Sequence, residues 1–327
     1  MKILITGGAG YIGATVCAAL ADAGHTPIIL DSLATGHKPF TKGHVFCKGD
    51  IANAKRLKKI KQDHPDITTC IHFAARAIVQ ESVENPTLYY TENVAKSIAL
   101  FSELHQLGFK NVIFSSSAAV YGETASTMVT EETPAAPLNP YANTKLATEM
   151  VLKDCCEAGY FRGTALRYFN PIGADPKMRT GPFKVNPSHL LGRLMDVAAG
   201  KTPEFQLFGD DWPTPDGYAI RDFIHVWDLA QAHVRVAENA EKLHRYKPYE
   251  TLNLGTGKGT SVMDFVKAFE SISGKKIPIK QTKRRPGDTA GAFACCGKAE
   301  VLLGWKAERT VEEAIRHALI WEEVRKT

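Results

Sequence analysis

The chain has 327 residues, which is long enough for one large domain or for two domains that share an interface. Its content of 44% hydrophobic and 23% charged residues is ordinary for a globular protein, and no segment approaches the roughly 20 consecutive apolar residues of a membrane span. The formal charge of +5 is modest, and the one basic run, KRLKKIK at 55–61, alternates with apolar residues as a solvated helix face does, so we expect no nucleic-acid partner.

The cysteines and the N-terminus indicate a cytoplasmic protein without a metal site. The seven cysteines show no Cys-x-x-Cys spacing, and the adjacent pairs at 155–156 and 295–296 suit neither a zinc site nor a usual disulfide framework, so we expect reduced thiols. The N-terminal sequence MKILITGG enters a strand and a turn directly, and it has neither the apolar region nor the small-residue cleavage site of a signal peptide. We therefore expect no metal and no membrane partner.

Hydrophobic periodicity in the first half alternates between short apolar runs and longer amphipathic segments. The predicted strands are KILIT, TPIIL, HVFCK, TTCIHF, NVIFSS and GTALRYF, and the predicted helices cover 11–23, 53–63, 86–107 and 141–158. Repetition of strand, helix and strand is typical of an α/β fold with a Rossmann-type, doubly wound parallel sheet.

The rhythm changes after Pro171, where a segment rich in Pro and Gly begins. Helical periodicity returns near 187–199 and 225–239, and ETLNLG at 250–255 is one further predicted strand. We expect a larger domain formed by 1–171 and a returning segment of about 217–260. A smaller, interleaved α/β domain would comprise 172–216 and 261–327.

The first predicted strand runs directly into TGGAGYIG, in which Gly7, Gly10 and Gly13 form a Gly-x-x-Gly-x-x-Gly pattern at the start of a helix. Glycines allow backbone amides to approach a pyrophosphate, and the helix N-terminus offers unpaired N–H groups to its charge. The pattern alone is weak evidence, because any tight turn between a strand and a helix can require glycine. Asp31 strengthens it, because an acid at the end of the next strand accepts both ribose hydroxyls and repels a 2′-phosphate. We therefore predict a NAD site, with NADP disfavoured.

Two further strand ends complete the predicted cofactor site. Asp50 and Ile51 follow the third strand, where Asp50 could contact the adenine or cap the helix at 53–63, and the two roles are compatible. The sequence HFAARA ends the fourth strand at the carboxyl edge of the sheet, where ligands of open α/β sheets bind. We expect the nicotinamide there. The residues concerned are Phe73, Ala74 and Ala75.

The stretch NPYANTKLATEM at 139–150 places Tyr141 and Lys145 four residues apart on a predicted helix. Residues at i and i+4 lie on one helix face, so the phenol and the ammonium can reach a common target. A lone Tyr-x-x-x-Lys pattern occurs often by chance, and both residues could be ordinary surface residues. The surrounding motifs therefore decide the interpretation.

The glycine pattern, SSSAAVYG at 115–122 and the Tyr141–Lys145 pair together resemble the extended short-chain dehydrogenase/reductases. Six segments are more narrowly similar to the UDP-glucose 4-epimerases: HFAARAIVQES, NVIFSSSAAVYGE, LRYFNPIGA, FGDDWPTPDG, IRDFIHVWDLA and RRPGD. They occur in family order and spacing over nearly the whole chain, which makes the similarity specific. It implies epimerisation at carbon 4 of a UDP-hexose, in which NAD takes up and returns hydride and a 4-keto sugar forms transiently.

The resemblance also assigns residues to the predicted site. Ser117, Tyr141 and Lys145 would be catalytic, with Tyr141 as a base whose ionised form Lys145 and the positive nicotinamide favour. The implied cofactor contacts are Gly7, Gly10, Tyr11, Ile12, Gly13, Asp31, Asp50, Ile51, Phe73, Ala74, Ala75, Asn93, Ser115, Tyr141, Lys145 and Tyr168. The implied substrate contacts are Ser117 at the sugar 4-hydroxyl, Asn170, His189 and Leu190 near the diphosphate, Phe208 beside the uracil, Arg221 and Arg285 on phosphates, Asp288 on the ribose, and Ala292 at the sugar.

The smaller domain would then bind the nucleotide sugar. Individually, each of the two arginines could instead form a surface ion pair, and His189 could be a helix-entry residue without a ligand role. Forked guanidinium groups nevertheless suit bidentate recognition of phosphates, which favours the substrate role.

Rival activities on the same scaffold are disfavoured at two positions. Nucleotide-sugar 4,6-dehydratases carry Asp-Glu just before Val-Tyr-Gly to expel water, and UDP-glucuronate decarboxylases carry a Glu there, whereas this chain has Ala118 and Ala119. Elimination then lacks its proton donor, and general acid–base help is commonly worth about 10²–10⁴-fold. Non-catalytic NAD-binding sensors also occur on this fold, but they usually lack the Tyr-x-x-x-Lys pair. Epimerisation of a UDP-pentose or UDP-uronate, and decarboxylation, remain alternatives.

Two positions depart from the family pattern. Many of these epimerases have a lysine that grips the cofactor five residues after the His of HFA, where this chain has Ala77, so we expect NAD to be held less permanently. Four residues after Asp288, some members have a tyrosine that closes the sugar pocket, others have a cysteine that leaves room, and this chain has Ala292. We therefore expect UDP-N-acetylglucosamine to be accepted as well as UDP-glucose.

The resemblance finally implies a homodimer. Family members often dimerise through helices that match 86–107 and 141–158. Those helices could equally be amphipathic and pack within one chain.

Overall fold

The structure is a computed structural model that describes residues 1–124, 126–183, 187, 189–285 and 288–326. Its strands, in chain order, are β1 Lys2–Thr6, β2 Thr26–Asp31, β3 Val45–Lys48, β4 Thr69–His72, β5 Asn111–Ser115, β6 Met128–Val129, β7 Arg162–Tyr168, β8 Asn170–Ile172, β9 Phe205–Phe208, β10 Ile220–Arg221, β11 Phe223–His225, β12 Tyr249–Leu254, β13 Thr260–Ser261, β14 Ile279–Thr282 and β15 Gly291–Ala294. Its α-helices are α1 Tyr11–Asp22, α2 Ala54–Asp63, α3 Val79–Glu84, α4 Pro86–Tyr89, α5 Lys96–Gln106, α6 Pro140–Glu157, α7 Leu190–Ala198, α8 Val226–Glu238, α9 Ala240–Leu243, α10 Val262–Ser273, α11 Gly297–Leu303 and α12 Val311–Val324. Two 3₁₀ turns lie at Lys38–Thr41 and Ala118–Tyr121, and a π-helical segment lies at Tyr90–Ala95.

Seven of the described strands form a parallel central sheet in the order β12-β7-β5-β4-β1-β2-β3. Side chains of β1 alternate between its two faces, because successive residues of a strand point in opposite directions. Ile3 and Ile5 enter a core with α1 and α8, whereas Leu4 enters a core with α2, α5 and α6, and all three are fully buried. Helices therefore cover both faces, as a parallel sheet requires. The predicted Rossmann-type, doubly wound α/β fold is confirmed.

The helices of the first half lie close to their predicted positions. α1, α2 and α6 match the segments predicted at 11–23, 53–63 and 141–158 to within one residue at each end. The segment predicted at 86–107 is divided into α4, the π-helical segment and α5. The helix predicted near 187–199 is α7, and Ser188 within that prediction lies outside the described residues.

The second half contains two long helices that the periodicity did not predict. α10 and α12 pack with α7 in a third core that contains Phe265 and Ile315. Both helices have capping signals in the sequence: the Ser261 side chain accepts a hydrogen bond from the backbone of α10, and Thr310 and Glu313 form a capping box at α12. These caps are the local signal by which the two helices could have been found.

The strand of the predicted returning segment, β12, lies beside β7 in the central sheet, whereas α7, α10 and α12 surround the third core. The proposed domain boundaries themselves stay a prediction.

Within the ranges that the structure describes, no helix has the length and apolar character needed to cross a bilayer, and no group of three or more His, Cys, Asp or Glu residues is placed to hold a metal. The seven cysteines are free thiols.

Candidate functional site

The turn between β1 and α1 brings the backbone against the end of β4. Gly7 has a φ of +72°, and a Cβ at this position would lie 2.6 Å from the amide nitrogen of Ala74. A Cβ at Gly13 would lie 2.4 Å from the carbonyl oxygen of Gly7. Only glycine fits at these two positions without a backbone shift. The first N–H groups of α1, at Tyr11 and Ile12, have no partner within the helix, so they can receive an anion at the carboxyl edge of the sheet.

Asp31 ends β2 on the same edge and is buried. Its carboxylate accepts hydrogen bonds from the backbone N–H groups of Ala9 at 3.0 Å and Leu33 at 2.7 Å. These bonds fix the orientation of the carboxylate and leave it able to accept more, because an ionised carboxylate can accept about four hydrogen bonds. The remaining positions suit the two hydroxyls of an adenosine ribose, and the negative charge opposes a 2′-phosphate. The site therefore fits NAD better than NADP.

A cleft opens between these elements. Its walls include many of the predicted cofactor residues, namely Gly7, Gly10, Asp31, Asp50, Ile51, Phe73, Ala74 and Ala75. Arg76, Glu92 and Lys96 also line the cleft and were not predicted. No local motif marks these three as residues of a cofactor site. They reach the cleft because the loop after β4, the π-helical segment and the start of α5 all border it.

Two predicted cofactor residues use their side chains to hold other parts of the chain. Tyr11 Oη donates a hydrogen bond to the carbonyl oxygen of Gly173 at 2.6 Å, which connects α1 to the segment after β8. The buried Asn93 side chain accepts a hydrogen bond from Arg76 N–H at 2.8 Å, and it donates to the Arg76 carbonyl and to Thr144 Oγ1 at 3.0 Å each. Asn93 lies in the π-helical segment, a feature frequent at functional sites. Its amide thus fixes the loop that lines the cleft.

The serine segment, Ser115–Ser117 at the end of β5, faces one side of α6. Lys145 Nζ donates a hydrogen bond to the carbonyl oxygen of Ser115 at 2.7 Å, and the Ser115 hydroxyl forms a short hydrogen bond with Tyr168 Oη. The Lys145 ammonium lies 5.9 Å from the centre of the Tyr141 ring. The predicted one-turn spacing therefore places the phenol and the ammonium together at the carboxyl edge of the sheet.

Burial shifts the pKa of both residues of this pair toward their neutral forms. Burial lowers the pKa of Lys145 to about 8, and the nearby Glu149 carboxylate opposes that change. Burial raises the pKa of Tyr141, and a hydrogen bond with Ser117 opposes it. In the protein alone, Tyr141 is therefore a phenol at neutral pH. A positive group in the cleft would favour the phenolate, so the arrangement suits a base that becomes effective when a cationic ring lies beside it.

A buried ion pair lies one helical turn beyond Lys145. The Glu149 carboxylate accepts hydrogen bonds from Arg167 Nε at 3.0 Å and Nη2 at 2.6 Å, and from the Ser116 hydroxyl. Sequence reasoning missed this pair, because no pattern links a residue of α6 to one of β7. Tyr141, Lys145 and Glu149 lie on three successive turns of α6, and each of them contacts the serine segment.

Four predicted substrate residues come together from separate segments. The Arg285 guanidinium lies 4.3 Å above the ring of Phe208, and its Nε donates a hydrogen bond to the Asp288 carboxylate at 3.0 Å. Burial lowers the pKa of Arg221, the Asp288 charge raises it, and the Arg285 charge lowers it further. Residues 286–287 of the predicted RRPGD motif lie outside the described residues.

Ala292 lies beside Arg221, with which it pairs between β15 and β10. Ala292 also packs against the buried side chains of Val120, Tyr121 and Val129. Val120 and Tyr121 belong to the 3₁₀ turn that directly follows Ser117. A larger side chain at position 292 would therefore press against that turn.

The remaining predicted substrate residues lie at the ends of elements. Asn170 is exposed and begins β8. His189 precedes α7, and its Nδ1 accepts a hydrogen bond from Gly192 N–H at 3.2 Å, so the helix-entry role considered for it is present. Leu190 is the first residue of α7. Contacts of these residues with a diphosphate stay a prediction.

Asp222 is a buried residue that sequence reasoning missed, although it lies within the IRDF motif. Its carboxylate accepts hydrogen bonds from the backbone N–H groups of Thr256 at 2.8 Å and Ala294 at 3.0 Å, and from Thr256 Oγ1 at 2.7 Å. Asp222 thus ties β15 and the segment after β12 to the strand that carries Arg221. These bonds fix the position of the strand that carries the predicted substrate residue Arg221.

Comparison with known proteins confirms the resemblance inferred from the sequence. Residues 3–255 match the NAD dependent epimerase/dehydratase family. The UDP-glucose 4-epimerase of Bacillus subtilis (strain 168) is 40% identical over 333 residues, which covers 98% of this chain and 97% of that protein. The UDP-glucose 4-epimerase of Yersinia enterocolitica is 41% identical over 335 residues, which covers 99% of this chain and 98% of that protein.

Solved structures give the same result. The UDP-glucose 4-epimerase from Stenotrophomonas maltophila with bound NAD and formylated UDP-arabinopyranose has a TM-score of 0.94 at 38% identity, covering 100% of this chain and 99% of that chain. The UDP-glucose 4-epimerase from Brucella ovis in complex with NAD has a TM-score of 0.92 at 38% identity, covering 98% of each chain. This chain belongs to the NAD dependent epimerase/dehydratase family.

Proposed function

We propose that this protein interconverts UDP-galactose and UDP-glucose by NAD-dependent inversion at carbon 4, through a transient 4-keto sugar. The observation that carries the proposal is the contact of α6 with the serine segment at the end of β5, beside a cleft that fits NAD. This geometry supplies a base at Tyr141, a cation at Lys145 and a hydroxyl at Ser117. The turn after Ser117 begins with Ala118 and Ala119, so it offers no acid for elimination.

NAD, when bound, accepts hydride from carbon 4 and returns it. Tyr141 removes the proton of the 4-hydroxyl in the first half of the reaction and returns it in the second. Ser117 orients the hydroxyl and shares its proton with Tyr141. Lys145, held by the Ser115 carbonyl, supplies the positive charge that favours the phenolate. Between the two halves the sugar must turn about its link to the diphosphate, so the protein must hold the nucleotide firmly and the hexose loosely.

We assign the nucleotide to the cluster that contains Arg221, Arg285, Phe208 and Asp288. The guanidinium groups suit the diphosphate, the aromatic ring suits the uracil, and the carboxylate suits the hydroxyls of the ribose. The stacking of Arg285 on Phe208 at 4.3 Å supports this assignment, because it places a cation and a flat apolar surface side by side. We further assign contacts with the diphosphate to Asn170, His189 and Leu190.

A second sugar class is favoured by Ala292. Its methyl group is the smallest side chain that this position of β15 can carry, and Arg221, a predicted substrate residue, lies beside it on β10. We propose that the space left by this small residue admits an N-acetyl group, so that UDP-N-acetylglucosamine is also a substrate. A related structure, from Campylobacter jejuni, is described as a UDP-Glc/GlcNAc 4-epimerase.

The proposal is tested by turnover of UDP-galactose to UDP-glucose by the purified protein with added NAD. The control is Tyr141→Phe, which keeps the ring and removes the proton acceptor. We expect activity in the wild type and a loss of about 10²–10⁴-fold in the variant. Binding of NAD without turnover of any UDP-sugar would refute the enzymatic proposal and favour a sensor.

We also propose a homodimer in the cytoplasm, without a nucleic-acid or membrane partner. Tyr90, Ile98 and Met150 are exposed hydrophobic residues on the helical run 86–106 and on α6, which supports an interface on these helices. Met150→Glu should convert a dimer to a monomer in light scattering, whereas the same change at the exposed Val301 on α11 should not. Dimerisation that survives Met150→Glu would refute this interface.

A further inference from the structure

A lysine connects two segments that line the cofactor cleft. Lys96 Nζ lies 2.6 Å from Asp50 Oδ2 and 2.8 Å from Glu92 Oε1. Lys96 and Glu92 belong to the helical run that follows β4, whereas Asp50 lies in the loop after β3. All three residues line the cleft. The ion pair therefore joins the loop after β3 to the helical run that follows β4.

Lys96 and Asp50 remain charged at neutral pH, and all three side chains are partly shielded from water. The side chains of Lys96, Asp50 and Glu92 are 24%, 41% and 30% exposed. Burial lowers the pKa of Lys96, but hydrogen bonds with the two carboxylates outweigh burial and raise it overall. Burial raises the pKa of Asp50, and hydrogen bonds from Lys96 and from the Ala52 N–H outweigh this and lower it.

The bridge does not use all the hydrogen-bonding capacity of Asp50. Its Oδ1 accepts a hydrogen bond from Ala52 N–H at 2.9 Å, and its Oδ2 accepts one from Lys96. An ionised carboxylate can accept about four hydrogen bonds, so positions remain for an amino group such as that of adenine. Lys96 can therefore hold Asp50 in place without displacing a base that binds there.

We propose that the Asp50–Lys96–Glu92 bridge is a clasp that closes the adenine end of the cleft and slows the release of NAD. The inference rests on the NAD site of the proposed function, and it adds Lys96 and Glu92 as residues that retain the cofactor. An adenosine that leaves past α5 must first separate Lys96 from Asp50. The clasp does not include Ser117, Tyr141 or Lys145, so it acts on the release of the cofactor.

The test is the release of radiolabelled NAD from the loaded protein into excess unlabelled NAD. Lys96→Met keeps the length of the side chain and removes its charge. Partly exposed ion pairs contribute modestly to binding, so we expect NAD release from Lys96→Met to be about three- to tenfold faster than from the wild type. Salt screens the ion pair and should speed release from the wild type, but this effect of salt should be lost in the variant. The matched control is Lys59→Met on α2, where the ammonium forms an exposed pair with Asp63 at 2.8 Å, and release should not change.

A second variant separates a clasp from simple attraction between Lys96 and the cofactor phosphates. Glu92→Gln loosens the lysine, so a clasp predicts faster release. Direct attraction predicts slower release instead, because a negative charge near the phosphates is removed. Slower release in Glu92→Gln, or release within twofold of wild type in Lys96→Met, would overturn the proposal.

Turnover distinguishes failure of the clasp from failure of the proposed function. With saturating NAD, the control Lys59→Met should convert UDP-galactose at a rate within about twofold of wild type, because its exposed pair with Asp63 is not part of the cleft lining. A wild type that binds NAD but turns over no UDP-sugar would refute the proposed epimerase and leave the clasp supported by its release rates. A wild type that binds no NAD would refute both.

Discussion

The buried ion pair behind Lys145 predicts a large and non-additive effect on stability. Glu149 and Arg167 are 3% and 8% exposed. Arg167 donates two hydrogen bonds to the Glu149 carboxylate, at 3.0 and 2.6 Å, and the Ser116 hydroxyl donates a third. Because both charges are shielded from water, removal of either partner leaves the other charge buried and unpaired.

The perturbation is a double-mutant cycle of Glu149→Leu and Arg167→Met. Breaking a buried pair by removing one partner typically costs about 3–5 kcal/mol, so each single variant should lose about that much free energy of unfolding. Removing both charges together leaves apolar side chains of similar size, which is often neutral. We therefore expect the double variant to lie within about 2 kcal/mol of the wild type, with a coupling energy of at least about 4 kcal/mol.

The assay is urea unfolding at pH 7, followed by fluorescence and circular dichroism, without added cofactor. The control is Lys153→Met on the exposed face of α6, where the pair with Glu157 spans 3.7 Å and the cost should stay below about 0.5 kcal/mol. A double variant as unstable as the sum of the two single variants would refute the reasoning. It would mean that the two side chains contribute through separate contacts and not through their mutual charge.

Four further outcomes are expected. Lys145 loses its proton as the pH rises through about 8, so the activity should fall above that pH. Glu149→Gln should move this fall to lower pH, because the Glu149 charge raises the pKa of Lys145. A pH profile of kcat for the wild type and the variant checks both expectations. Gly7→Ala should abolish NAD binding measured by calorimetry, because its Cβ would lie 2.6 Å from a backbone nitrogen; binding within tenfold of wild type would contradict the predicted close approach. Ala292→Tyr should reduce kcat/KM for UDP-N-acetylglucosamine more than for UDP-glucose, and equal effects on the two substrates would remove the argument for an enlarged pocket. Ala77→Lys should increase the NAD that remains after exhaustive dialysis, whereas a wild type that already retains one NAD per chain would show that this lysine is unnecessary.

Local patterns in the sequence determined the first half of the fold. Alternation of apolar strands and amphipathic helices indicated the parallel sheet, because burial of both sheet faces requires that pattern. The glycine turn and Asp31 indicated the cofactor cleft, because backbone approach and a carboxylate at a strand end are short-range features. The spacing of Tyr141 and Lys145 indicated a shared target, because one helical turn is fixed geometry.

Only the tertiary structure decided which distant residues meet. The cluster of Arg221, Phe208 and Arg285 forms because β10, β9 and the loop before β15 converge, and no periodicity encodes that convergence. The same holds for Glu149 with Arg167, and for the clasp in the cofactor cleft. Apart from the Glu92–Lys96 pair, which is four residues apart, each of these contacts joins residues from different elements. Its existence therefore depends on the order of the strands and the packing of the helices, and the pattern of side chains along the sequence does not contain that information.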